Sequence, residues 1–186
     1  IPQYSSSQNQ SLPTLRTVYL SLARLLPFGE MKNDTPIKSV RKELPEEYNI
    51  IFHKLVGRIT GITITESTPK IIENIKIRTE YSTDTEGIDS NTASVGEDNA
   101  IIILKNLVLL RYYYENAPSL HNIDQPASIL LIDEMDATLH PAMQLRLLHT
   151  LIEYSERYKI QIFFTTHSLY LLEKALTSTY RNHIKL

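Results

Sequence analysis

Apolar and polar positions alternate over residues 17–25, TVYLSLARL, with Val18, Leu20 and Leu22 on one side and Tyr19, Ser21 and Ala23 on the other. A period of two predicts a strand, ended by Pro27 and Gly29. The period then changes. Tyr48, Ile51, Phe52 and Leu55 fall on one helical face, which predicts a helix over residues 45–56. Pro45 suits its first turn, Glu46 and Glu47 suit its positive end, and Gly57 or Gly61 would stop it. Residues 71–77 alternate weakly and predict a strand. Two polar stretches, residues 5–11 and the acidic 79–93, predict loops. Residues 98–115 are apolar nearly all round in their middle, the pattern of a well-buried helix, and residues 114–126 read as a further loop. After them come a buried strand at Ser128–Ile132, a helix at Pro141–Tyr158, a strand at residues 160–165 and a last helix from Ser168. Strand, crossover helix, strand is the βαβ pattern. It predicts an α/β fold, with a parallel sheet and helices packed on it.

Composition narrows this without changing it. The chain has 186 residues, 22% of them charged, and a net charge of −2. That is enough for one core, and no global positive field points to nucleic acid or an anionic membrane. There is no cysteine, which rules out disulfides and thiolate metal sites and is compatible with a cytoplasmic location. The most apolar stretch, residues 100–114, is broken by Lys105, Asn106 and Arg111 and is too short to span a bilayer.

The candidate chemistry lies at strand ends. Ile129–Ile132 run directly into Asp133 and Glu134, with Asp136 close behind. Ligands of open parallel sheets bind beyond the carboxyl ends of the strands. Adjacent carboxylates there repel unless a cation or hydrogen bonds compensate them, and magnesium is the natural hard cation. Four apolar residues followed by Asp-Glu is the Walker B arrangement of P-loop ATPases, in which Asp holds magnesium and Glu orients or deprotonates the attacking water. Acids at a strand end also simply mark solvent. His167 ends the next strand at the same edge, where an imidazole can donate to a phosphate oxygen. In TASVGEDNA, Gly96 allows backbone N–H groups close to an anion and Ser94 adds a hydroxyl. The plain alternative is a helix start, with Ser94 as cap and Glu97 completing a capping box.

In their order, SVGEDN, LLIDEMDATLHP and IQIFFTTHS resemble the second half of an ABC-type ATPase head of the branch shared by SMC-like and OLD-like ATPases. With VYLSLARLLPFGE they look most like bacterial anti-phage defence ATPases, the ATPase subunits of Septu systems and Septu-like retrons. The resemblance implies a P-loop NTPase lobe. Residues 1–93 would be a strand and helix portion of the head, and residues 94–186 would hold signature, Walker B, D-loop and switch histidine. It implies that Ser94, Gly96 and Glu97 are the signature, contacting the γ-phosphate bound to an opposite protomer. Asp133 would hold magnesium, Glu134 the attacking water, Asp136 would couple two sites, and His167 would meet the γ-phosphate. ATP and magnesium are the implied cofactors. A second ATPase subunit, as homodimer or higher, and a nuclease or other effector are the implied partners, with nucleic acid left open and no membrane. No GxxxxGK[ST] occurs, so the Walker A half lies outside these residues, and the isolated chain is expected to be inactive.

Two other functions stay open at this stage. One is a nucleotide-sensing scaffold with little turnover. The other is a metal-dependent nuclease built on Asp133, Glu134, Asp136 and His140. His140 also reads more simply as a cap before Pro141, which suits a first helical turn.

Overall fold

The computed structural model describes residues 15–25, 37–39, 44–72, 76–87, 89–90, 92–120, 125–177 and 180–185, with the backbone alone at 37–39, 69–72, 76–78 and 120. The expected loop at 5–11 and the stops at Pro27 and Gly29 lie outside these residues. The described elements are β1 (Arg16–Leu20), β2 (Ile37–Ser39), α1 (Glu46–Thr60), β3 (Ile64–Ile72), β4 (Lys76–Thr83), α2 (Val95–Glu115), β5 (Ser128–Ile132), α3 (Pro141–Tyr158), β6 (Ile160–Phe164) and α4 (Leu169–Ala175). Short 3-10 turns follow β1 at Leu22–Leu25 and α2 at Pro118–Leu120.

The expected parallel sheet is present, in the order β1-β5-β6. Leu20 pairs with Ile132 and Ile132 with Phe164, so all three strands end at one edge. Leu20, Leu130, Ile132 and Ile160 are buried, facing the helices. Tyr19, Leu131 and Phe163 pair across the strands as one row, of which Tyr19 and Phe163 are exposed. Helix α2 runs through the middle of the core, packed on α1, α3 and β4. Tyr48 on α1 donates to Glu115 Oε2 at 2.7 Å, and burial together with that carboxylate pushes its phenol up to about 12.

Several boundaries are corrected. The first strand stops at Leu20, and the chain then coils into the 3-10 turn carrying Arg24. Helix α1 runs on to Thr60 because Gly57 is accommodated, while Gly61, at φ 84°, supplies the left-handed stop. The expected single strand over 71–77 is instead the closing end of an antiparallel hairpin, since Ile72 pairs with Lys76. Residues 79–83 belong to β4, with Thr79 and Tyr81 buried, so the acidic loop begins only at Asp84. Helix α2 starts three residues earlier than expected, at Val95, and β6 ends one earlier, at Phe164.

Candidate functional site

The carboxyl ends of β5 and β6 build the site. Thr165 N–H donates to Ile132 O at 3.0 Å and Met135 N–H to Thr165 O at 2.9 Å, so the two strand exits stay in register for a further turn. Between these bonds the Thr165 hydroxyl does two things. It donates to Asp133 Oδ1 at 2.8 Å and accepts from Glu134 N–H at 2.7 Å. One hydroxyl therefore fixes the side chain of the first acid and the backbone of the second.

Glu134 pays for its place in backbone strain. Its φ of 45° lies in the left-handed region. For a non-glycine residue that costs roughly 1–3 kcal/mol, and it persists only where the surroundings over-determine it. They do so here: Thr165 takes the N–H, and Arg24 Nη2 donates to the carbonyl at 2.9 Å. Ala137 N–H also donates to that carbonyl, at 3.1 Å. Thr138, at φ 65°, is a second left-handed position in the same loop.

His167 reaches the same edge. Its Nε2 lies 3.7 Å from Glu134 Oε1, too far for a hydrogen bond, and the imidazole is 84% exposed. A ring so open is free to meet an incoming anion. Its backbone N–H donates to Asp136 Oδ1 at 3.2 Å, so Asp136 holds the turn that presents His167. Behind it, Ser168 Oγ donates to buried Gln144 Oε1 at 2.7 Å and caps α4, tying this turn to α3.

The start of α2 adjoins the loop that follows Asp136. Ser94 and Glu97 form a full capping box: Ser94 Oγ accepts from Glu97 N–H at 3.2 Å, and Ser94 N–H donates to Glu97 Oε2 at 2.7 Å. Ser94 is exposed, whereas Gly96 is buried. A Cβ at Gly96 would stand 2.4 Å from Thr138 O. Gly96 is therefore not part of an open surface: its missing side chain makes room for the loop backbone. His140 Nδ1 accepts from Ala142 N–H at 3.3 Å, a cap with Pro141 in the first turn, as the simpler reading expects.

Three contributors escaped the sequence reading. In sequence Thr165 marks only a strand end. Arg24, 5% exposed, donates from Nε to Asn99 Oδ1 at 2.8 Å, and fully buried Asn99 donates to Ala137 O at 2.8 Å. Burial pulls the Arg24 guanidinium below its usual range, while the charges of Asp133 and Glu134 push it back. A single Arg inside the apolar run LSLARLL was the available signal. Among the described residues, no group of three or more His, Cys, Asp or Glu could hold a metal ion. Asp133 with its threonine partner does suit a hard cation that keeps most of its own waters and takes its remaining ligands from phosphates. Among the same residues no helix is long and apolar enough to cross a membrane.

A family model for an AAA ATPase domain matches residues 7–172 of the chain. No curated protein matches it. A similar solved structure comes from work on the structural biochemistry of ATP-driven dimerization and DNA stimulated activation of SMC ATPases. It is 17% identical, with a TM-score of 0.44, over 70% of this chain and 73% of that one.

Proposed function

This chain belongs to the AAA ATPase domain family, and from that premise we propose that it forms the signature and Walker B part of an ABC-type ATPase head. Such a head binds and hydrolyses ATP at a dimer interface and thereby controls an effector, a nuclease of anti-phage defence, in the cytoplasm. Residues 94–186 carry the chemistry in this reading, and residues 1–93 supply β1, α1 and the antiparallel sheet that support it.

What supports it above all is the Thr165 hydroxyl, which holds Asp133 Oδ1 and Glu134 N–H at 2.8 and 2.7 Å and so keeps two adjacent acids in different roles. Asp133, half-buried and hydrogen-bonded, would hold the metal. Magnesium there would neutralise charge on the phosphoryl group being transferred. Glu134, held by its backbone and with its carboxylate 3.7 Å from His167 Nε2, accepts a hydrogen bond from water and aligns it for in-line attack. His167 donates from its exposed ring to a terminal phosphate oxygen. The Ser94 hydroxyl, which donates to Glu97 Oε2 at 3.0 Å, would turn that donor to the nucleotide of a second subunit. The nuclease alternative loses support, because Asp136 and His140 are both turned to backbone N–H groups.

The test is Glu134→Gln in the full-length protein. ATP binding should survive, while turnover falls by about a hundredfold or more, because the lost interaction acts in the transition state. Single-turnover hydrolysis near the parent rate would reject the role of Glu134.

A further inference from the structure

We propose that Arg24 and Asn99 are positioning residues for Glu134: through two loop carbonyls they set how its carboxylate is presented and tie that presentation to the seating of α2. The inference rests on the reading of Glu134 given above.

Arg24 gathers four oxygens from three parts of the chain. Besides Asn99 Oδ1 and Glu134 O, it donates from Nη1 to Leu20 O at 3.1 Å and to Ser21 O at 2.9 Å. All four acceptors are neutral. Among the described residues no carboxylate is in hydrogen-bond contact with this cation, which is 5% exposed, and Asp133 and Glu134 favour its charge only from further away. Holding a 3-10 turn against a helix does not require a charge. A neutral side chain of similar volume would avoid the desolvation cost. The guanidinium is explained by what its fork can do: two donor directions in one rigid plane serve Asn99 and Glu134 together.

Asn99 extends the link. Its oxygen faces Arg24 and its amide faces Ala137 O, so both ends of the amide are used and its orientation is fixed by the network. The two carbonyls held, of Glu134 and Ala137, bracket the loop after β5. Glu134 sits at a left-handed φ, where a change in the following peptide plane swings the side chain. Arg24 grips that peptide plane. Asn99 lies inside α2, one turn beyond the Ser94–Glu97 cap, so a shift of the helix start is felt at Ala137 and, through Arg24, at Glu134.

Two substitutions in the full-length protein separate positioning from mere support. Arg24→Lys keeps the charge but lacks the fork. Asn99→Asp keeps an acceptor for Arg24 but sets an oxygen against Ala137 O. Each should lower kcat by about ten- to hundredfold, the loss expected from slight misplacement of a catalytic group, with ATP affinity unchanged. In a Glu134→Gln background Arg24→Lys should cause no further loss, since the group it positions is gone. Circular dichroism and melting temperatures establish folding. Folded variants with parental kcat would overturn the proposal, and so would losses that multiply with Glu134→Gln. Equal loss of affinity and turnover, or failure of both variants to fold, would assign the network to the fold and overturn it too. If Glu134→Gln itself leaves turnover intact, the role of Glu134 fails first; if only that variant is impaired, the role of Arg24 and Asn99 fails alone.

Discussion

Gly96 rests against Thr138 with no room for a side chain: a Cβ would meet the Thr138 carbonyl oxygen at 2.4 Å and the carbonyl carbon at 3.2 Å. Both atoms are backbone, so no rotamer change relieves the contact. Gly96→Ala therefore sets two effects against each other. Alanine gains about 1 kcal/mol of helix propensity. Overpacking against a fixed neighbour costs about 1–3 kcal/mol, and a contact this short belongs at the upper end. The clash wins, and the variant should melt a few degrees lower. It should also lose turnover, because Thr138 follows Asp136 and Ala137 in the site loop. An unchanged melting temperature would show that the loop yields freely.

Thr165→Val tests the hydroxyl by itself. The shape is kept, but Asp133 Oδ1 loses a donor and Glu134 N–H an acceptor. A hydrogen bond to a charged group contributes about 1.5–3 kcal/mol, which corresponds to roughly ten- to hundredfold in rate if it is expressed in the transition state. Water can replace part of it at this exposed position, so stability should change little. Thr165→Ser should restore most of kcat. Equal impairment of the serine variant would mean that the methyl group, not the hydroxyl, matters.

The βαβ unit was legible because each signal is local. Ile129–Ile132 stop at charges, and His140-Pro141 opens an amphipathic helix with a cap and a first-turn proline. The hairpin was not, since the weak alternation in residues 71–77 looks the same whether the chain continues or reverses. Polar composition hid the end of β4, where Thr79 and Tyr81 are buried on a strand that packs against the distant α2. At the site, the carboxylates and His167 were visible as residue types at strand ends. The groups that aim them were not. Arg24 meets Asn99 and Glu134 across long stretches of chain, and Gly96 reads equally well as an anion approach or as a backbone contact. Pairwise geometry of that kind has no period in sequence.

These 186 residues contain no P-loop, the element that supplies most backbone N–H donors to a bound triphosphate. The chain by itself should show no ATP hydrolysis. Calorimetric titration with magnesium and ATP should give at most weak binding. Affinity in the micromolar range or tighter would mean that Asp133, His167 and their neighbours suffice for a nucleotide site.

The remaining prediction concerns two subunits. If Ser94 acts on a nucleotide held by another protomer, a change there damages the partner's site, not its own. The variant must spare the fold, which Gly96→Trp cannot do beside Thr138. Ser94→Asp keeps the cap, since aspartate still accepts from Glu97 N–H, but it sets a carboxylate against Glu97 Oε2, to which the serine hydroxyl donates at 3.0 Å. It also brings a negative charge to the point where a phosphate would approach, so it should abolish ATP-dependent association, with a drop of only a few degrees in melting temperature from the lost side-chain hydrogen bond to Glu97. Mixing full-length Ser94→Asp with full-length Glu134→Gln then separates the two geometries. In a heterodimer with trans sites, one composite site carries both defects and the other carries neither, so activity should exceed that of each variant alone. If signature and Walker B served one subunit, every site would carry one defect and mixing would recover nothing. Heterodimer formation is established first, by tagging the two chains differently and isolating the mixed species, so that absent recovery counts against the trans arrangement and not against assembly.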